Sequence, residues 1–226
     1  MACGVTARAA CGYTGGMDQL NGVRLFAATT SQGKLRDFRT AGQAFQVDIE
    51  PLPGLKEIPA PEEDGLTFAA NATLKALYYS RFAPGQLIVA DDSGLEVDAL
   101  AGAPGVRSAR FAADFGLTET AEASTDQLNN RLLLQKLATV PGAQRTARYR
   151  CVLAAARDGQ LVAASEGAVE GTILEAERGT GGFGYDPLFY LPELGETMAE
   201  ITLETKLGLS HRGRAFVALL ERLRQL

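Results

Sequence analysis

Hydrophobic and polar positions follow two rhythms along this chain, and they predict alternating strands and helices. Val23 to Ala28 is a short apolar run that predicts a strand, and it passes straight into the polar loop TTSQGK before Leu35 and Phe38 open a helical period. An irregular, proline-marked stretch from Pro51 to Pro61 leads to Glu62, Glu63, Asp64 and Gly65. A helix is then expected from about Thr67 to Phe82. Leu87 to Ala90 is an apolar run of the kind that fits a strand buried on both faces, expected to stop at Asp91 and Asp92. Thr125 or Asp126 is expected to cap a helix carrying Leu128, Leu132, Leu133 and Leu137 towards Pro141. Residues 146–156 and 160–165 read as strands joined by Asp158-Gly159, a hairpin signal that makes the sheet mixed. The last helix begins near Ser210, with Ala215, Phe216, Leu219, Leu220 and Leu223 on one face.

Residues 1–20, rich in Ala, Gly and Cys, show neither rhythm and are expected to form a disordered tail ahead of one domain over 21–226; Met17 offers an alternative start of translation. Hydrophobic residues at 46 % against 22 % charged indicate a globular chain able to bury a core. A net charge of -5 provides no footprint for a nucleic-acid backbone, so an anionic ligand has to be met locally. Cys3, Cys11 and Cys151 lack metal-ligand spacing, and no stretch approaches a membrane span or a signal peptide. A cytoplasmic protein is expected.

Five stretches carry candidate chemistry. Adjacent residues on a strand face opposite ways, so one of Asp91 and Asp92 can turn to a crevice and the other inward; such a carboxylate edge suits magnesium and the activation of water. The same pair also fits an Asx turn. Strand, polar loop and helix over residues 23–38 form a phosphate-binding arrangement in which helix-start N–H groups and Lys34 can meet phosphate oxygens, although GxxxxGK[ST] is absent and, taken alone, the Gly-Lys pair reads first as a solvated turn. Thr67, Asn71 and Lys75 make one polar stripe, facing either a cleft or solvent. In GTGGFGYDP, Phe183 suits either base stacking or plugging the core. His211, Arg212 and Arg214 open the last helix, where positive charge opposes the helix dipole unless an anion or a polar ligand sits there.

EDGLTFAANATLKA, ADDSGLEVDALAGAPGVRSAR, GTGGFGYDP and SHRGRA occur here in one order, and together they resemble the inosine triphosphate pyrophosphatase family, also called the HAM1 family, from about Val23 to the C-terminus. The resemblance implies an α/β fold with a mixed central β-sheet flanked by helices, two lobes enclosing a nucleotide-binding cleft, and a homodimer. It implies hydrolysis of noncanonical purine nucleoside triphosphates (ITP, dITP, XTP) to monophosphate and pyrophosphate. By the same resemblance Glu63 and Asp92 match the magnesium (Mg2+) site, and Asp92 matches the general base. Thr29, Thr30, Ser31, Gln32, Gly33 and Lys34 match the phosphate loop, with Lys75 nearby, and Ser93 a substrate-contacting serine. Phe183, Gly184, Tyr185, Asp186, Lys206, His211 and Arg212 match nucleoside-binding residues. Two departures stand out: Thr30 and Ser31 replace the usual Gly and Asn of the loop, and ETKLGL precedes SHR. The other readings are a pyrophosphatase of the related Maf type, which SHRGRA and FGYDP disfavour, and a catalytically silent nucleotide-binding protein, which Glu63 and Asp92 disfavour.

Overall fold

The computed structural model describes residues 24–226; the expected tail, Met17, Cys3, Cys11 and Val23 lie outside them. Seven strands form one open mixed sheet in the order β2-β1-β3-β4-β5-β6-β7. They are β1 (Arg24–Ala27), β2 (Asp48–Pro51), β3 (Leu87–Val97), β4 (Thr146–Arg157), β5 (Gln160–Ile173), β6 (Phe189–Leu191) and β7 (Glu196–Thr197). Strand β1 runs parallel to β2 and β3, and every later pairing is antiparallel. The helices are α1 (Gln32–Ala44), α2 (Phe68–Ser80), α3 (Phe111–Asp114), α4 (Thr125–Lys136), α5 (Leu203–Leu209) and α6 (His211–Leu223).

Strand pleating divides the core. Leu87 and Val89 of β3, with Cys151, Leu153 and Ala155 of β4, pack under α1 and α6. Their neighbours Ile88, Ala90, Val152, Ala154 and Ala156 pack under α2. Further along the same strands Leu95, Val97, Ala147, Tyr149 and Val169 join α3 and α4 in a separate core. The long strands β3 to β5 therefore carry two packed lobes.

Strand β3 does not stop at the aspartates. It continues to Val97 because β4 pairs with it from Ile88↔Ala156 to Val97↔Ala147, a long-range support that the local pattern does not contain. Pairing with β1, in contrast, ends at Val89, whose carbonyl accepts from the N–H of Ala28. From Ala90 onward one edge of β3 is free of β1, and that edge carries Asp91, Asp92 and Ser93. Strand β5 likewise runs past 165 to Ile173 on its β4 and β6 partners. The cap of α4 is Ser124, one residue before the expected position, and it forms a capping box with Gln127. Asp158 and Gly159 both have positive φ, 51° and 77°, as a tight two-residue hairpin requires.

Candidate active site

The free edge of β3 borders a cavity of about 270 Å³ that reaches both faces of the sheet. Glu63, Lys75, Asp92 and Arg110 line one end; Tyr149, Phe183, Asp186, His211 and Arg212 line the other; Lys34 and Ser93 lie on its wall as well. A wider depression of about 780 Å³ on the outer side of α2 is bounded mainly by Ala69, Ala70, Leu74, Leu77 and Tyr78, and it gathers no comparable set of ionisable groups.

The two aspartates divide their work by face. Asp91 points towards α1 and α6: its Oδ2 lies 2.8 Å from Lys34 Nζ and accepts from Ser93 Oγ at 3.1 Å. Burial would raise this carboxyl, but the cations of Lys34, Arg212 and Lys75 outweigh burial and hold it at about 2. Asp92 points towards α2, where Asn71 Nδ2 donates to Oδ2 at 3.0 Å and Lys75 Nζ stands 3.8 Å from Oδ1. Here burial prevails over Lys75 and the Asn71 hydrogen bond, so its carboxyl lies above the ordinary range. Two members of the α2 stripe serve the cleft, Asn71 holding Asp92 and Lys75 donating to Glu63 Oε2 at 2.6 Å, while Thr67 is exposed and caps the helix.

The phosphate-loop stretch forms a helix start. Ser31 is the N-cap of α1, its Oγ accepting from Lys34 N, while Thr29 Oγ1 accepts from Ser31 N. Thr30 and Gln32 are exposed. Gly33 has a steric reason to be glycine, since a Cβ there would meet the Phe183 ring at 2.6 Å. Phe183 accordingly packs on α1, with the Arg212 guanidinium 4.9 Å from its ring centroid and the Lys206 ammonium 5.6 Å away.

Asp186 organises the glycine loop. Its carboxylate accepts from the Phe183 N–H at 2.9 Å, Lys206 Nζ at 2.6 Å and the Tyr149 hydroxyl at 3.3 Å. Lys206 therefore sits behind the cavity wall as a prop for Asp186. Gly182 has a φ of 74° and leaves room for that carboxylate, which a Cβ would meet at 2.0 Å. Gly184 donates its N–H to Asp126 at 2.7 Å, and the Tyr185 hydroxyl donates to Ser108 O at 2.8 Å.

Helix α6 starts at the Ser210 cap and brings His211 and Arg212 to the cavity, both buried. Arg212 donates to Asp37 Oδ2 at 3.2 Å and Ser93 Oγ at 3.1 Å, so Asp37 answers the unfavourable helix-dipole position noted in the sequence. Burial raises the Asp37 carboxyl despite Arg212. His211 stacks on Tyr149 with ring centroids 4.7 Å apart and 12° between planes. Burial, reinforced by Arg212, Lys206 and Lys34, pushes its imidazole well below the ordinary histidine range, so the ring is neutral at pH 7. Both ring nitrogens of His211 and Nε of Arg212 are buried without a partner. Buried polar atoms are rarely left so, and these line a cavity that a ligand with hydrogen-bonding edges would fill.

Asp37, Arg110 and Tyr149 were not among the sequence candidates. Asp37 lies three residues after Lys34, on the same helix face, and Tyr149 alternates with Cys151 and Leu153 along β4; those are the only sequence signals for them.

The family model described as "Ham1 family" matches residues 25–222. A dITP/XTP pyrophosphatase of Acidobacterium capsulatum is 59 % identical over 88 % of this chain and 97 % of its own length. The Staphylococcus aureus Ham1 protein structure aligns with a TM-score of 0.73 at 35 % identity, covering 89 % of this chain and 98 % of that one. For a HAM1 protein from Coxiella burnetii the TM-score is 0.75 at 31 % identity, covering 90 % and 100 %.

Proposed function

Because the chain belongs to the Ham1 family, we propose that it hydrolyses noncanonical purine nucleoside triphosphates, dITP, XTP and ITP, to the monophosphate and pyrophosphate. The observation that carries this reading is the two-ended cavity, with carboxylates and lysines at one end and unpartnered His211 and Arg212 atoms at the other. A nucleotide is a ligand with those two ends.

Asp92 is the general base. Its carboxylate lines the cavity, and the Asn71 hydrogen bond fixes Oδ2. Water attacks the α-phosphorus as Asp92 takes its proton, and pyrophosphate leaves with the electrons of the α–β bridging bond. Lys34 and Lys75, both lining the cavity, offset the negative charge that builds on the leaving group. Ser93, held between Asp91 and Arg212, fixes the wall between the two ends. At the far end, Phe183, His211 and Arg212 contact the base, Asp186 and Lys206 brace the loop around it, and Gly184 and Tyr185 complete its wall.

The family is metal-dependent, and the residues fit magnesium. Glu63 and Asp92 already share one cation, the Lys75 ammonium, and both offer the hard oxygen donors that magnesium takes. Magnesium is commonly held by one or two carboxylates together with substrate phosphates and water. When bound by Glu63 and Asp92, magnesium neutralises phosphate charge.

We also infer a cytoplasmic homodimer. The family resemblance supports the dimer, as do Leu66, 92 % exposed, and Phe82, half exposed, at the two ends of α2. The free thiol of Cys151 accords with a reducing compartment. Among the described residues no helix is long and apolar enough to cross a membrane.

Pyrophosphate release from dITP, XTP, ITP, ATP and GTP with magnesium tests the reading. Turnover of the first three well above the last two is expected; no release from any of them overturns it. Solution molar mass tests the dimer.

A further inference from the structure

Four of the cations described around the cavity are already joined to a carboxylate. Lys34 pairs with Asp91 at 2.8 Å, Lys75 with Glu63 at 2.6 Å, Lys206 with Asp186 at 2.6 Å and Arg212 with Asp37 at 3.2 Å. Arg110 differs. It lines the cavity, is partly buried, and among the described residues has no carboxylate within ion-pair distance. The one hydrogen bond of its side chain runs from Nη2 to the Glu63 carbonyl oxygen at 3.0 Å. Of the five N–H donors in a guanidinium, four remain for a ligand.

Its mounting is rigid. Arg110 ends a 3₁₀ helix over Gly105–Arg110, directly before α3. The Ser108 carbonyl there accepts from the Tyr185 hydroxyl at 2.8 Å and from Asn129 Nδ2 at 3.3 Å, and Asn129 Oδ1 accepts from Ala112 N at 2.8 Å. The backbone is thus pinned on both sides of Arg110. Contact with Glu63 sets the guanidinium at the acidic end of the cavity, where the polyphosphate is read to lie. A guanidinium fork matches two phosphate oxygens at once, and among the described residues no carboxylate forms an ion pair with this one.

We propose that Arg110 is a polyphosphate-binding residue, gripping the β,γ end of the triphosphate that becomes the leaving pyrophosphate. The inference rests on the triphosphate reading of the cavity and assigns a residue to the leaving-group end. A purely structural alternative exists: Arg110 could serve only to brace the Glu63 backbone. The two roles differ in what they do to ligands lacking the β- and γ-phosphates and in their response to metal.

Equilibrium binding of the α,β-imido analogue of dITP and of IMP to the full chain, each at several magnesium concentrations, separates them. Arg110→Gln is expected to weaken the analogue about tenfold or more, the loss of a charge-assisted hydrogen bond, while IMP stays within about twofold of wild type. Raising magnesium should not restore the analogue. Arg110→Lys, which keeps the charge, should recover part of the affinity. Arg107→Gln, on the exposed face of the same turn, serves as the control and should bind both ligands as wild type does. Equal weakening of analogue and IMP, recovery of the analogue by magnesium alone, unchanged analogue binding in Arg110→Gln, or no advantage of Lys over Gln would each overturn the assignment. Should Arg110→Gln fail to fold, the Lys variant decides: weaker analogue binding with IMP unchanged supports the role, and wild-type analogue binding overturns it. Wild-type failure to release pyrophosphate from dITP would instead overturn the proposed reaction, and it is read in a separate assay.

Discussion

The ammonium of Lys75 lies 2.6 Å from the carboxylate of Glu63, so a residue matched to the nucleotide's phosphates is bonded to one matched to the metal. A divalent cation entering between Glu63 and Asp92 competes with this ammonium, whose pKa is raised because Asp91, Asp92 and Glu63 together outweigh its burial. Lys75→Met should therefore tighten binding of Mn2+ alone by about tenfold, read by calorimetry, since one favourable ion-pair competitor is gone. Turnover of dITP should fall in the same variant. Weaker Mn2+ binding would show that Lys75 does not compete with the metal.

Asp92→Asn keeps the size of the side chain and can still meet Asn71, but it removes the proton acceptor. A loss in kcat on the order of 10² to 10⁴ is expected, with an unchanged melting temperature. Glu63→Gln should shift the magnesium dependence to higher concentration and leave kcat at saturating metal less affected. Retention of most of the wild-type kcat in Asp92→Asn would remove it from the role of base.

Substrate choice follows from the unpartnered atoms. Arg212 Nε carries a donor, and neutral His211 carries one donor and one acceptor. Inosine and xanthine bases offer a 6-carbonyl acceptor, whereas adenine places an amino donor there and leaves a protein donor unpaired. Discrimination against ATP of up to roughly 10⁴ in kcat/KM is within reach of such a site. His211→Ala should narrow the ITP to ATP ratio, chiefly by lowering kcat/KM for ITP. An unchanged ratio would mean that the base is read elsewhere.

Asp91 predicts an acid limb of stability. Its folded carboxyl stands at about 2 against an ordinary value of 3.8, so the unfolded chain takes up the proton first as pH falls. The contribution is complete above about pH 4 and disappears between about 4 and 2. Its size is about 2 kcal/mol. Asp91→Asn should lose about that much at pH 7 in chemical denaturation and show a flatter profile below pH 4. A wild-type slope persisting in the variant would place the acid sensitivity in other groups.

How far the sequence discloses all this depends on the range of the interactions. Apolar runs, the Ser210 start of α6 and the Asp158-Gly159 hairpin are local, and they appear in the structure where the pattern puts them. The ends of β3 and β5 do not, because pairing with distant strands extends them beyond the apolar run. At the site, period opposes the two aspartates and groups the α2 stripe, but an Asx turn and a solvent-facing stripe fit the same pattern until pairing with β4 carries the strand through Asp91 and Asp92. The order of four motifs indicated the family that the comparisons support. Asp37, Arg110 and Tyr149 escape because each owes its position to a partner from another element: Arg212 on α6, Glu63 ahead of α2, and Asp186 in the glycine loop. Ser31 shows the reverse. Its replacement of the usual Asn is unusual as a motif but ordinary as a helix cap.

The placement of Asp91 and Asp92 on consecutive positions of a paired strand also limits how the gene can change in length. One codon gained or lost between Ile88 and Asp91 would either swap the faces of the two aspartates, setting the second on the side of Lys34 and the first on that of Lys75, or keep them and invert the apolar run before them. Insertions should be tolerated better at the largely exposed Asp158-Gly159 turn, bonded outside the hairpin to Gly85 and Ser80, or in the largely exposed 115–123 stretch. Variation in length among active relatives is therefore expected at those places, with the run from Leu87 to Ser93 constant in its number of residues.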